Sequence, residues 1–147
     1  MECECLVGII SLGITLVTIC VGFYQYDKEN RFKRANYFNE LRSRFKSNPV
    51  FNEIREQINN RQNLNQFSQT QIYDYAGFFE ELQIAINSKF IKPEMVYYLF
   101  GHYILEFAND NDSRIQLDAQ LWIVLNELIN KMREIETKNL NIKNLKF

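Results

Sequence analysis

The spacing of apolar side chains predicts a chain built from helices. The first apolar stretch is continuous, since residues 6–24 are 19 residues without a formal charge, mostly Leu, Ile and Val. From residue 27 onward, apolar positions recur every three or four residues, which is the spacing of amphipathic helices. We therefore expect one apolar N-terminal helix followed by several amphipathic ones.

The helix boundaries are predicted from capping residues and prolines. The first amphipathic segment, 27–45, follows the apolar helix without a breaker and is expected to continue it. Asn48 and Pro49 then predict the start of a second helix, as a cap and a proline in the first turn. Ser68 or Thr70 is expected to cap a third helix, and Pro93 to open a fourth. An Asn- and Asp-rich cluster at 109–113 is expected to end the fourth helix and cap a fifth.

The same spacing predicts which side chains form the core. Polar residues 59–66 are expected to form a loop, and Gln83 is excluded from the inner face of the third helix. The expected inner positions are Phe32, Ala35, Phe38, Leu41, Phe45, Val50, Phe51, Ile54, Ile58, Ile72, Tyr75, Ala76, Phe79, Leu82, Ile86, Val96, Leu99, Phe100, Tyr103, Ile104, Phe107, Leu121, Trp122, Leu125, Leu128, Ile129, Met132 and Ile135.

The predicted fold class is therefore all-α, with an N-terminal transmembrane helix followed by a four- to five-helix bundle. The predicted domains are a short tail and transmembrane helix at 1–26, a helical domain at 27–136 and a flexible tail at 137–147. The scarcity of Gly and Pro, with five and two copies, argues against a β-sandwich or barrel, which needs frequent turns. All three cysteines lie in the first 20 residues, so the helical domain has no disulfide framework.

The length and flanks of residues 6–24 favour a membrane anchor. At about 1.5 Å per residue the segment spans about 28 Å, close to the hydrocarbon thickness of a bilayer. Phe23, Tyr24 and Tyr26 stand where an interfacial aromatic belt lies. No Lys or Arg precedes the segment, which argues against a cleaved signal peptide.

Charge predicts the orientation of this anchor. Residues 27–46 carry seven basic and three acidic side chains, a net charge of +4, whereas residues 47–147 sum to −3. The positive-inside rule then places residues 27–147 in the cytosol, at the inner membrane, with the N-terminus outside. Lys28, Arg31, Lys33 and Arg34 are the predicted contacts with lipid headgroups, a simpler interpretation than a nucleic-acid site.

Small and hydroxyl side chains form a stripe along the apolar helix. The members of the stripe are Gly8, Ser11, Thr15, Thr18 and Gly22. Their spacing of three and four places them on one face, and small side chains let helix backbones approach closely in lipid. This face predicts a homo-oligomer.

The sequence offers little for catalysis. His102 is the only histidine, so a His-rich metal site is excluded, and the hypothesis of a hydrolase that uses Glu80, Glu81 and His102 ranks last. No phosphate-binding glycine loop is present. We expect no catalytic residue, no cofactor, no metal and no enzyme activity.

Two stretches resemble a family. Residues 75–82 (YAGFFEEL) and 90–101 (FIKPEMVYYLFG) resemble an uncharacterised bacterial family of short single-pass membrane proteins with a cytosolic helical domain of unknown function. In many members of that family a Trp follows on the fourth helix, where this chain has Phe107. The resemblance implies architecture and no assigned activity.

The leading prediction for function is a membrane-anchored, self-associating helical module that recruits a cytosolic protein partner to the inner membrane. The alternative is an oligomeric, pore-type effector of a bacterial antiviral defence system, whose helices perturb the membrane when the cytosolic domain is triggered.

Overall fold

The structure, a computed structural model, describes residues 2–109 and 120–138, with side chains from residue 13 onward. All regular secondary structure in these residues is helical. The helices are α1 (Glu2–Ser47), α2 (Pro49–Asn59), α3 (Gln69–Asn87), α4 (Pro93–Asn109) and α5 (Ile123–Thr137), with a 3₁₀ turn at Gln120–Trp122 before α5. The predicted all-α class is confirmed. The predicted cap cluster beyond Asn109 and the predicted tail beyond Lys138 lie outside the described residues.

The chain divides into two compact units, residues 1–37 and residues 38–147. Helix α1 is continuous, as predicted, and contributes its last ten residues to the second unit. Within the residues that the structure describes, no helix combines the length and the apolar character that a membrane crossing needs. Residues 6–12 of the predicted span lie outside the residues whose side chains are described.

Local capping explains where α2 and α3 begin. The Asn48 side-chain oxygen accepts hydrogen bonds from the backbone N–H groups of Val50 and Phe51, at 3.0 and 3.3 Å, which satisfies two donors that have no partner within a helix. At α3 the cap is Ser68, one of the two predicted candidates. Its hydroxyl accepts from the Gln71 N–H while the Gln71 side chain accepts from the Ser68 N–H, a capping box.

The core of the second unit is rich in aromatic rings. Phe45 at the end of α1 lies between α3 and α4, with its ring centroid 5.1 Å from those of Phe78 and Phe100. Tyr75 continues the cluster, 4.8 Å from Phe79 on the same helix. Edge-to-face and offset pairs at such distances add to the free energy of burial, so these rings fix α1, α3 and α4 together.

The boundaries of the core differ from the prediction at several positions. Gln83, excluded from the inner face of α3, is fully buried. Phe78 was not predicted either and is buried against Phe45. Helix α3 is covered over a wide arc because α5 packs along it, α4 contacts it and Phe45 of α1 stacks on its Phe78 ring, whereas a periodic stripe marks only the centre of a buried face. Leu64 and Phe67, in a loop without periodicity, are also buried.

Two predicted core residues are wrong. Phe32 is 66% exposed, because it lies in the first unit, before the part of α1 that packs in the core. Leu121 is 72% exposed, because it lies in the 3₁₀ turn, whose tighter winding turns Trp122 inward and Leu121 outward.

Candidate functional site

The first unit presents a continuous apolar surface. From residue 14 to residue 26 its large apolar side chains are between 48% and 71% exposed; they are Ile14, Leu16, Val17, Ile19, Val21, Phe23, Tyr24 and Tyr26. Residues 13–29 are exposed without exception, so no side of this helix segment is covered by the described part of the chain. Burial of a Val, Leu, Ile or Phe side chain is worth about 1.5–3 kcal/mol. Eight half-exposed side chains therefore leave on the order of 10 kcal/mol of hydrophobic free energy to be gained from something outside the unit.

The described part of the small-residue stripe lies open on this surface. Thr15, Thr18 and Gly22 are all exposed, and a Cβ atom built on Gly22 would meet no atom within 4 Å. The Thr18 hydroxyl donates to the carbonyl oxygen of Ile14 at 2.9 Å, so its polar hydrogen is satisfied inside its own helix. A satisfied hydroxyl can lie against an apolar neighbour at little cost. Gly8 and Ser11 lie outside the residues whose side chains are described.

The predicted headgroup contacts fall into two pairs. Arg31 and Lys33 each form an ion pair with a carboxylate one turn earlier, Asp27 at 2.7 Å and Glu29 at 2.8 Å. The hydrogen bond from Lys33, and then its charge, lower the pKa of Glu29. Lys28 and Arg34 form no ion pair with the residues that the structure describes. The four predicted contacts therefore differ, because two of them already have a carboxylate partner within the helix.

The second unit carries a groove of about 580 Å³ between the end of α1, the start of α2 and the outer side of α3. We call it the α1–α3 groove. The α1 and α2 residues that line it are Arg44, Ser47, Asn48, Pro49 and Phe51, and the α3 residues are Tyr73, Asp74, Gly77, Phe78 and Glu81. Phe51 and Phe78 are both buried and their rings pack at 5.7 Å, so the base of the groove is apolar.

The charges of the groove leave one carboxylate unpaired. The Arg44 guanidinium donates to the Glu81 carboxylate across the groove and also lies 5.7 Å from the centre of the Phe78 ring. Asp74 is exposed and forms no ion pair or hydrogen bond within the described residues. The N–H groups at the start of α2 are taken by the Asn48 side chain, so that helix end does not call for an anion. The groove therefore combines an apolar base with a net negative rim.

Gly77 lies in the middle of this rim. It is a helix-interior glycine, which costs about 1 kcal/mol relative to alanine. A Cβ atom added to it would meet nothing within 4 Å. Packing among the described residues therefore does not require residue 77 to be a glycine. Such a glycine suits the close approach of another backbone.

The candidate catalytic residues Glu80, Glu81 and His102 do not form one cluster. Glu81 pairs with Arg44 of α1. The Glu80 carboxylate accepts from the backbone N–H of Leu125 in the first turn of α5, which has no cap from its own residues. Partial burial raises the pKa of Glu80, and that hydrogen bond opposes the shift. His102 is exposed and packs beside the Tyr103 ring. In the described ranges no three His, Cys, Asp or Glu side chains are placed to hold a metal ion.

Comparison of the chain with protein-family models, with curated proteins and with solved structures finds no match. The resemblance of residues 75–82 and 90–101 to a bacterial membrane-protein family stays a prediction. In the structure most of the apolar side chains of these two stretches lie in the core, whereas Phe90 and Tyr98 are exposed. The pattern of these stretches is therefore mainly one of core packing, although Gly77, Phe78 and Glu81 of the first stretch also line the α1–α3 groove.

Sequence reasoning did not find the α1–α3 groove. Asp74, Gly77 and Glu81 are spaced three and four along α3, and this polar stripe beside the apolar one was the available signal. The opposite wall comes from Arg44, 37 residues away from Glu81 in the sequence, and only the folded chain brings the two together.

Proposed function

We propose that this protein is a membrane-anchored, self-associating helical module that recruits a cytosolic protein partner to the inner membrane. The observation that carries the proposal is the apolar surface of residues 14–26, which is exposed on every side of α1 while the second unit has a complete core of its own. An isolated helix with apolar side chains all round is typical of a membrane span. Residues 6–24 form the anchor in this proposal, and residues 38–147 carry the partner-binding domain.

The basic flank supports the proposed orientation. Lys28 and Arg34 are available to lipid phosphates directly. Arg31 and Lys33 are held in exposed ion pairs, which are worth only about 0–1 kcal/mol, so headgroup phosphates can compete for them. Each basic side chain near an anionic leaflet contributes about 1 kcal/mol of attraction.

Self-association is proposed to occur through the stripe of Gly8, Ser11, Thr15, Thr18 and Gly22. Close helix approach needs small side chains on the contact face, and Thr18 brings no unsatisfied donor to it. Cys20 is exposed on the same helix. At 100° per residue it lies about 160° around the helix from the middle of the stripe. The chain therefore contains a natural probe that faces away from the proposed contact.

Cross-linking by cysteine oxidation in bilayers tests this arrangement. With the native cysteines replaced by serine, Thr18→Cys should give a disulfide-linked dimer, because two copies present residue 18 to each other. The matched control keeps only Cys20, and it should remain monomeric. Dimers through Cys20 with none through residue 18 would contradict the proposed face.

A truncation tests the division of roles. Removal of residues 1–26 is expected to leave a folded helical domain that no longer sediments with bilayers, because the buried side chains among the described residues begin at Phe38. An unfolded or aggregated product would count against the proposed separation between anchor and partner-binding domain.

A further inference from the structure

We propose that the α1–α3 groove is the partner-docking surface, and that it binds a basic amphipathic helix of another protein. The inference rests on the proposed function, since it names the surface through which a recruited partner is held. In the bound state an apolar side chain of the partner lies over Gly77 on the Phe51–Phe78 base, and a Lys or Arg one helical turn away pairs with Asp74.

The size and base of the groove suit a few side chains of a peptide. Its volume of about 580 Å³ is that of an open cleft with room for a few side chains. The apolar base offers burial to the partner, and its rings are already fixed by contacts with Phe45 in the core. A preformed surface of this kind binds without paying for its own ordering.

Charge selects a basic partner. Of the three charged side chains in the groove, Arg44 and Glu81 neutralise each other, so Asp74 sets the net charge of the site. The Asn48 cap removes the attraction that the start of α2 would have for an anion. The second unit as a whole, residues 38–147, carries a net charge of −1, so the preference for a cationic segment comes from Asp74 at the groove.

Gly77 selects a closely approaching backbone. Asp74, Gly77, Phe78 and Glu81 stand at i, i+3, i+4 and i+7, so they form one face of α3. The open space above Gly77 lets a second helix lie against this face at a short distance. The helix-in-groove mode of recognition uses anchors at the same spacing on the ligand.

The test uses the full chain in nanodiscs of phosphatidylcholine, a lipid without net charge, and two fluorescent synthetic helices. One is an amphipathic helix of leucine and lysine, and the other carries glutamate in place of lysine. Fluorescence anisotropy is measured against empty nanodiscs. The lysine peptide should bind to the chain above this background and the glutamate peptide should not.

Three variants locate the binding. Asp74→Asn should weaken binding of the lysine peptide by roughly threefold, which is the effect of losing one exposed ion pair. Gly77→Leu should fill the groove and weaken binding by at least about tenfold, while the far-ultraviolet circular dichroism stays unchanged, because residue 77 has room for a side chain. Glu136→Gln removes the same charge from an exposed position of α5 and should have no effect.

Absence of specific binding, or equal binding to all variants, would overturn the docking surface. A Gly77→Leu variant whose main change is a lower oligomeric state would show that a second copy occupies the groove, and would also contradict the proposal. Failure of the anchor is a separate result. A chain that does not enter nanodiscs but binds the lysine peptide in solution would support the docking surface and contradict the proposed membrane anchor.

Discussion

The two glycines of the helical domain should respond in opposite directions to the same substitution. Gly77 in α3 and Gly101 in α4 are both in helix interiors, where alanine is favoured by about 0.5–1 kcal/mol. At residue 77 an added Cβ meets nothing within 4 Å, so the full gain should appear. At residue 101 the added Cβ would lie 2.7 Å from Cδ2 and 3.2 Å from Cγ of the Tyr97 ring, so the ring must move.

The expected size of the difference follows from these contacts. Overpacking in a filled core costs about 1–3 kcal/mol, which exceeds the helix-propensity gain at residue 101. Gly77→Ala should therefore raise the free energy of unfolding by about 0.5–1 kcal/mol, and Gly101→Ala should lower it by up to about 2 kcal/mol. For a domain of this size, 1 kcal/mol corresponds to roughly 4–8 °C in melting temperature.

The lone tryptophan provides the assay. Trp122 is buried, with its ring 5.2 Å from that of Tyr73, so its fluorescence reports unfolding of the domain. Urea unfolding of the full chain in detergent micelles gives the two free energies under the same conditions. If both variants shifted in the same direction, the assignment of open space above residue 77 and of contact with Tyr97 at residue 101 would be refuted.

Three further substitutions test single interactions by the same assay. Tyr75→Phe should keep or raise stability by about 1 kcal/mol, because the buried hydroxyl has no hydrogen-bond partner among the described residues; a clear loss would reveal one. The pKa of Glu80 is raised in the folded state. Its contribution to the free energy of unfolding is therefore fully present below its unfolded-state pKa and is lost as pH rises through its folded-state pKa. In Glu80→Gln the amide oxygen can still accept from Leu125, so the free energy of unfolding, measured by urea titration at several pH values, should fall less with rising pH than in the unsubstituted chain. An unchanged pH dependence would contradict the burial argument. Ser68→Ala should cost about 1 kcal/mol through loss of the cap to Gln71, and a neutral result would mean that the capping box does not stabilise α3.

The sequence was sufficient for helix order and for most of the core, because both follow from local rules. Asn48 with Pro49, and Pro93, predict helix starts that the structure confirms, since a cap and a proline act within one turn. The inner positions that the helical period predicts in α3 and α5 are all buried, apart from Leu121 at the turn before α5.

The remaining features depend on which helix packs against which, and no local pattern contains that. Gln83 is buried because α5 lies along α3, although glutamine alone favours the surface. The groove forms because the end of α1 meets α3, so its ion pair joins residues from distant parts of the sequence. The sequence could indicate the stripe of Asp74 and Gly77, but it could not supply the opposite wall.

The most direct test of the central claim is flotation of the full chain with phospholipid vesicles after alkaline carbonate treatment, which releases peripheral proteins. If the apolar surface of residues 14–26 is covered by lipid, the chain should float with the vesicles, and a chain without residues 1–26 should stay at the bottom of the gradient. Recovery of the full chain in the bottom fractions, folded and free of detergent, would contradict the membrane anchor and the recruitment that depends on it.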